Sequence, residues 1–137
     1  MTSQIPRIFW FAFGLIILEA GYALFNAGKD LIIRFLPGSH AYMNPAEVAF
    51  IQSVSWLQEL VFFSAVAATC VSVYLMLQRS IWVLATYAAG VFLTKVDWLI
   101  SGFNGVELFA LNGYVSLIYQ TVVMGVLVWL SFLGKLD

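Results

Sequence analysis

Four long apolar runs, separated by turn chemistry, dominate the chain. They cover about Ile8 to Asn26, Val54 to Leu77, Ile81 to Ser101 and Leu111 to Leu133. Each is close to the roughly 20 residues that a helix needs to cross a bilayer. Pro37-Gly38 breaks the first connection, Gln78-Arg79-Ser80 makes a tight polar joint, and Gly102-Phe103-Asn104-Gly105 opens the third connection. Short joints imply antiparallel neighbours, so the pattern predicts an all-α, integral membrane, up-down four-helix bundle forming one domain over residues 1–137.

The stretch from Ala27 to Ser53 is the one substantial loop, and it is read as partly interfacial. Lys29 to Leu36 extends the first helix past the membrane or lies on its surface. Asn44-Pro45-Ala46-Glu47 reads as a helix start, with Asn44 as cap, Pro45 at the first helical position and Glu47 as the capping carboxylate. An unbroken helix from there to Leu77 would hold about 33 residues and span about 50 Å, so it must protrude, tilt or kink.

Inside the apolar runs lie polar residues at helical spacing. Glu19, Tyr22 and Asn26 share one stripe; Gln52, Ser55 and Glu59 another; Thr94, Asp97 and Ser101 a third; Asn112, Ser116 and Gln120 a fourth. The antiparallel order brings all four stripes, with Lys95, into one half of the bilayer. A charge at the bilayer centre costs roughly 2.5–3.5 kcal/mol on insertion scales, so each needs a partner, a cavity or a function. Glu19, Tyr22, Asn26, Glu59, Lys95, Asp97 and Gln120 are therefore the candidate binding or proton/ion cluster. Each also has a plainer reading as an interhelical hydrogen bond. Lys95 and Asp97 point to roughly opposite sides of their helix; Lys95 is expected to reach Glu59 or Glu19, or to snorkel to the interface.

Small residues add a packing expectation. Gly14, Gly21 and Gly28 recur every seven residues, and Ser64, Ala68 and Ser72 every four. Such stripes let helices approach closely, within one chain or between copies. Trp10, Trp56, Trp82, Trp98 and Trp129 fall near helix ends as interfacial anchors. Met76 and Met124 read as core.

Composition agrees with a lipid setting. Hydrophobic residues make up 63 % and charged residues 9 %, against about 25 % charged in soluble domains. The net charge of −1 gives no electrostatic case for nucleic acid. Cys70 is alone, and His40 has no second ligand nearby, so neither a disulfide, a metal site nor a cofactor is expected. The run after Arg7 is too long for a signal core, carries Glu19 and lacks a small-residue cleavage site, so it reads as a retained helix. Arg7, Arg79 and Lys135 fall on one side, and Lys29 and Arg34 on the other with Asp30, Glu47 and Glu107. This thin bias places both termini in the cytoplasm.

Met43-Asn44-Pro45-Ala46-Glu47 through Trp56, followed by Leu75-Met76-Leu77-Gln78-Arg79-Ser80-Ile81-Trp82-Val83-Leu84-Ala85, resembles a group of small bacterial four-helix membrane proteins. Some of these carry the label "sugar transporter". The resemblance implies a bacterial inner-membrane protein and is not extended to a sugar. Leu18-Glu19-Ala20-Gly21 with Asn26 and Gly28 is similar to the first helix of small multidrug resistance transporters, where a membrane-embedded Glu binds protons or cationic drugs. The long first loop and the third helix depart from that family, so this local likeness is read as coincidental.

No Gly-x-Ser-x-Gly, His-rich or phosphate-cradling motif is present, so no enzyme is expected. The leading expectation is a non-enzymatic accessory or binding subunit that contacts membrane lipid and self-associates or docks to other membrane subunits. A dimeric proton-coupled small-solute transporter using Glu19 and Glu59 is the second. A lipid- or pigment-contacting scaffold is the third.

Overall fold

The computed structural model describes residues 6–105 and 111–137, the side chains of Leu111 and Asn112 excepted. Among the described residues five α-helices follow one another: α1 Arg7–Phe35, α2 Pro45–Ser53, α3 Trp56–Leu77, α4 Trp82–Phe103 and α5 Leu111–Phe132, with a 3-10 turn Pro37–Tyr42 between the first two. Four of them are long and apolar enough to cross a membrane: α1, α3, α4 and α5. They run up and down, with α3 packed most extensively on α4, α1 on α3, and α5 closing the ring against α1 and α4.

Two alternatives left open by the sequence are settled. The first helix extends past Asn26 to Phe35, spanning about 43 Å, until Pro37 forces Leu36 out of helical geometry. The second long helix is broken. Asn44 caps α2 as expected, its side chain accepting from the Ala46 amide at 2.9 Å. The chain then turns extended at Val54 and Ser55, and the Ser55 hydroxyl caps α3 by accepting from the Gln58 amide at 3.3 Å. This break resolves the length mismatch. α2 lies against the end of α1, where Ile33, Val48, Ile51 and Met43 form a small apolar cluster. His40 Nε2 meets the Ile33 carbonyl at 2.7 Å and ties the 3-10 turn to the same place.

The opposite, terminal end is sealed by the α3–α4 joint and the C-terminal segment. Arg79 adopts φ 57°, a left-handed conformation that reverses the chain in few residues. The Ile81 amide donates to the Asp137 carbonyl and the Asp137 amide to the Arg79 carbonyl, both at 2.7 Å. Inside this half lies the main core: Phe9, Ala12, Ile16, Met76, Val83, Tyr87, Val123, Leu127 and Leu130, with Met124 packed beside it.

The expected glycine seam is not a packing seam of this chain. A Cβ added to Gly14, Gly21 or Gly28 would meet nothing within 4 Å. Close approach occurs instead at Gly90 on α4, where an added Cβ would lie 3.2 Å from Thr69 Oγ1 and 3.4 Å from Ala68 Cβ on α3. The other stripe divides: Ser72 is buried and bonded to the Ala68 carbonyl at 2.8 Å and Thr86 Oγ1 at 3.1 Å, Ala68 is half-buried beside Gly90, and Ser64 is exposed.

Candidate functional site

The bundle is mainly apolar in its terminal half, where the Ser72–Thr86 pair is an exception, and polar in its loop half. At the junction sits Glu19, on the inner face of α1. Its Oε2 accepts from the Tyr87 hydroxyl of α4 at 2.6 Å, and its Oε1 accepts from Gln120 Nε2 of α5 at 2.8 Å. Three helices thus meet at one carboxylate. Tyr87 is 1 % exposed and Gln120 6 %. The Tyr119 hydroxyl fixes α5 to α1 a turn away by donating to the Leu15 carbonyl.

Above this floor is a chamber of about 420 Å³, walled by α1, α3, α4 and α5. Glu19, Tyr22, Asn26, Asp97, Ser116 and Gln120 line it beside Phe62, Ala65, Val66 and Val115. Next to it, beneath α2, lies a smaller vestibule of about 170 Å³ lined by Lys29, Asp30, Glu47, Gln58 and Glu59. Asn26, Phe62 and Asp97 border both spaces, so Phe62 is the apolar partition between them.

The remaining polar candidates are distributed as follows. Asp97 Oδ1 accepts from Gln58 Nε2 at 3.0 Å, and the same amide reaches Ser101 Oγ at 2.9 Å. Asn26 turns its Nδ2 back to the Tyr22 carbonyl at 3.0 Å. Glu59 faces away from Glu19 and pairs with Arg34 of α1. Arg34 also holds Asp30 at 3.0 Å and the Ile51 carbonyl at 2.8 Å, and lies over the Trp56 ring. One guanidinium therefore joins α1, the last turn of α2 and the first turn of α3. Lys29 pairs with Glu47 across the same joint.

Lys95 forms an ion pair with neither Glu59 nor Glu19, correcting one expected placement. Its Nζ donates to Ser116 Oγ of α5 at 3.2 Å and stands 5.7 Å from the Trp98 ring centroid. Among the described residues it borders a separate groove on the α4–α5 face, with Phe92, Leu117 and Met124. The second-helix stripe also changes. Ser55 is a cap, Gln52 is exposed, and Gln58 rather than Glu59 faces Asp97. The Asn112 side chain and Glu107 lie outside the described residues.

Several members of the site escaped the spacing analysis. Tyr87 and Gly90 continue the Thr94–Asp97–Ser101 stripe backwards at steps of three and four, a signal hidden because both sit in an apolar stretch. Gln58 was overshadowed by its charged neighbour. Arg34 and Asp30 lie on the extension of α1 and were not joined to Glu59 by spacing alone. Among the described residues no group of three or more His, Cys, Asp or Glu side chains gathers as metal ligands do.

Two buried amide oxygens, Gln58 Oε1 and Gln120 Oε1, have no protein partner. In both side chains the amide nitrogen is engaged by a carboxylate, which fixes the oxygen on the other side. Gln58 borders the vestibule and Gln120 the chamber, but both oxygens are closed off from these spaces by burial.

Fold and site together define a class: an all-helical chain with four helices long and apolar enough to span a membrane, enclosing a carboxylate-floored chamber at one end. Comparison with models of known families, with curated proteins and with solved structures finds no match to this chain.

Proposed function

We propose that the chain is a non-enzymatic, multi-pass membrane protein that binds a small molecule in the chamber above Glu19. The observation that carries this reading is the chamber itself. Its volume lies in the range of small-molecule sites, its wall is mainly apolar, and a few polar groups converge at one end. Nothing in that wall forms a nucleophile–base pair. The Tyr119, Thr69 and Thr94 hydroxyls each donate to a backbone carbonyl, an arrangement that holds walls rather than performs chemistry.

A bacterial inner membrane with cytoplasmic termini is the setting we propose. Its support is the resemblance around Asn44–Trp56 and the charge arrangement. The cations at the loop end, Lys29 and Arg34, are matched by Glu47, Asp30 and Glu59, while Arg7, Arg79 and Lys135 gather at the other end. The open Gly14–Gly21–Gly28 face is compatible with an accessory role beside further subunits.

A second reading is proton-coupled movement of the bound molecule. The observation favouring it is that Glu19, deep in the bundle, accepts from two neutral donors and forms no salt bridge among the described residues. Glu59, paired with Arg34, does not share that property.

The primary test is access to the chamber. In a Cys70→Ala background in lipid nanodiscs, a Thr94→Cys variant should react with a small polar thiol reagent, and a Leu127→Cys variant in the mainly apolar half should not. Equal inertness at both positions would remove the chamber and with it the binding reading.

A further inference from the structure

The chamber has an open side, and its position narrows the ligand. Among the described wall residues three are exposed: Leu18 at 67 %, Tyr22 at 71 % and Val115 at 56 %. All three lie on α1 and α5, whereas the α3 and α4 walls are buried or half-buried. The chamber therefore opens sideways between α1 and α5. In a bilayer that mouth faces acyl chains, so what enters is already dissolved among lipids.

The polar end selects the head. Glu19 and Asp97 supply carboxylate oxygens to the wall. The hydroxyls of Thr69, Thr94 and Tyr119 are turned into backbone carbonyls, at 3.0 Å and 2.9 Å for the two threonines. Beside them the wall carries the Tyr22 and Ser116 hydroxyls, so its acceptor character rests on the two carboxylates. An anionic head would meet two carboxylates at low dielectric and be repelled. Lys95, bonded to the wall residue Ser116 and within electrostatic reach of Glu19, offsets only part of this, one cation against two carboxylates.

Resting on the reading of the chamber as a binding site, we propose that its ligand is a single-chain amphiphile with a non-anionic, hydrogen-bond-donating head. The head sits at the Glu19–Gln120 floor and the alkyl chain leaves between Leu18 and Val115. Moving a chain from lipid to an apolar protein wall changes little, because lipid tails are as apolar as leucine. Discrimination between ligands therefore lies in the head.

The test uses the full chain in phosphatidylcholine nanodiscs and two photoreactive probes with the same diazirine-bearing chain, a 1-monoacylglycerol and the corresponding fatty acid. Labelled positions are mapped by peptide fragmentation. The glyceride should label the Leu18–Tyr22 and Val115–Gln120 stretches, and unlabelled 1-monooleoylglycerol should suppress that labelling. Glu19→Gln should weaken it at least about fivefold, the loss expected from one hydrogen bond. Ala65→Phe, which fills the chamber without touching its polar groups, should abolish it. Equal labelling of these stretches by the fatty acid, labelling scattered over all outer faces, or no suppression by the competitor in the unmodified protein would each overturn the proposal. A reactive Thr94→Cys with such an outcome sinks the amphiphile alone; an inert one sinks the chamber reading as well.

Discussion

Tyr87→Phe isolates the contact that closes the chamber floor. The substitution removes one hydroxyl and leaves the ring, which is 1 % exposed within the main core. The lost bond is the 2.6 Å contact to Glu19 Oε2. Side-chain hydrogen bonds inside membrane proteins average about 0.6 kcal/mol, with a maximum near 1.7. A carboxylate acceptor roughly doubles a neutral bond, which puts the expected cost at about 1–2 kcal/mol. The assay is reversible unfolding in mixed micelles, followed by circular dichroism as the SDS fraction rises. A cycle with Glu19→Gln then separates the pair from its surroundings, and a coupling of about 1 kcal/mol is expected because both substitutions act on one bond. Additive effects, or a Tyr87→Phe cost below about 0.3 kcal/mol, would show that the hydroxyl does not act through Glu19. The account of the floor would then be wrong.

Arg34→Met should be the most costly single change at the loop end, about 3–5 kcal/mol, because it strands the buried Asp30 and Glu59 carboxylates; adding Asp30→Asn and Glu59→Gln should recover much of it in the same unfolding assay. Lys29→Met, which breaks a partly exposed pair, should cost no more than about 1 kcal/mol. Gly90→Leu should destabilise by about 1–3 kcal/mol or more by forcing α3 from α4. Gly14→Ala and Gly21→Ala should be neutral or stabilising by up to about 1 kcal/mol, and loss of stability or of an oligomer there would mean that another chain covers that face. Ser55→Ala should cost about 1 kcal/mol and loosen the α2–α3 joint, seen as faster amide exchange around residues 53–58.

The sequence pattern was informative wherever period and depth decide. Glu19, Asp97, Ser116 and Gln120 fall at one level because antiparallel order fixes relative depth, and the chamber brings them together. Spacing carries no information on how each helix is rotated against its neighbours. Gln58 and Glu59 are adjacent yet turn to different helices, Asp97 on α4 and Arg34 on α1. Lys95 shows the same limit, since a two-residue offset from Asp97 separated the pair but could not choose among α1, α3 and α5. The break at Val54–Ser55 did have a signal, because Ser55-Trp56-Leu57-Gln58 has the Ser-x-x-Gln form of a capping box. An apolar run on both sides masked it. The end of α1 stayed open between a helical extension and a surface segment for a related reason: Lys29, Asp30 and Arg34 have loop-like composition, and only the docking of α2 gives Lys29 and Arg34 partners on another helix there.

The mainly apolar half has an electrical consequence. From Gln120 to Leu130 the core holds no ionisable side chain beyond the neutral Tyr87 and is mainly apolar over about 15 Å, with the Ser72–Thr86 pair its uncharged exception, while the vestibule, the chamber mouth and their ionisable groups lie on the other side of that plug. In the orientation we propose, a transmembrane voltage falls mainly across the plug, as it does across any low-dielectric barrier in series with a polar space. A charge crossing the whole field would gain about 2.3 kcal/mol per 100 mV, but a ligand resting on Glu19 has crossed little of it. Occupancy of the chamber should therefore be nearly indifferent to membrane potential. Release towards the terminal face would carry the full electrical work of any charge moved.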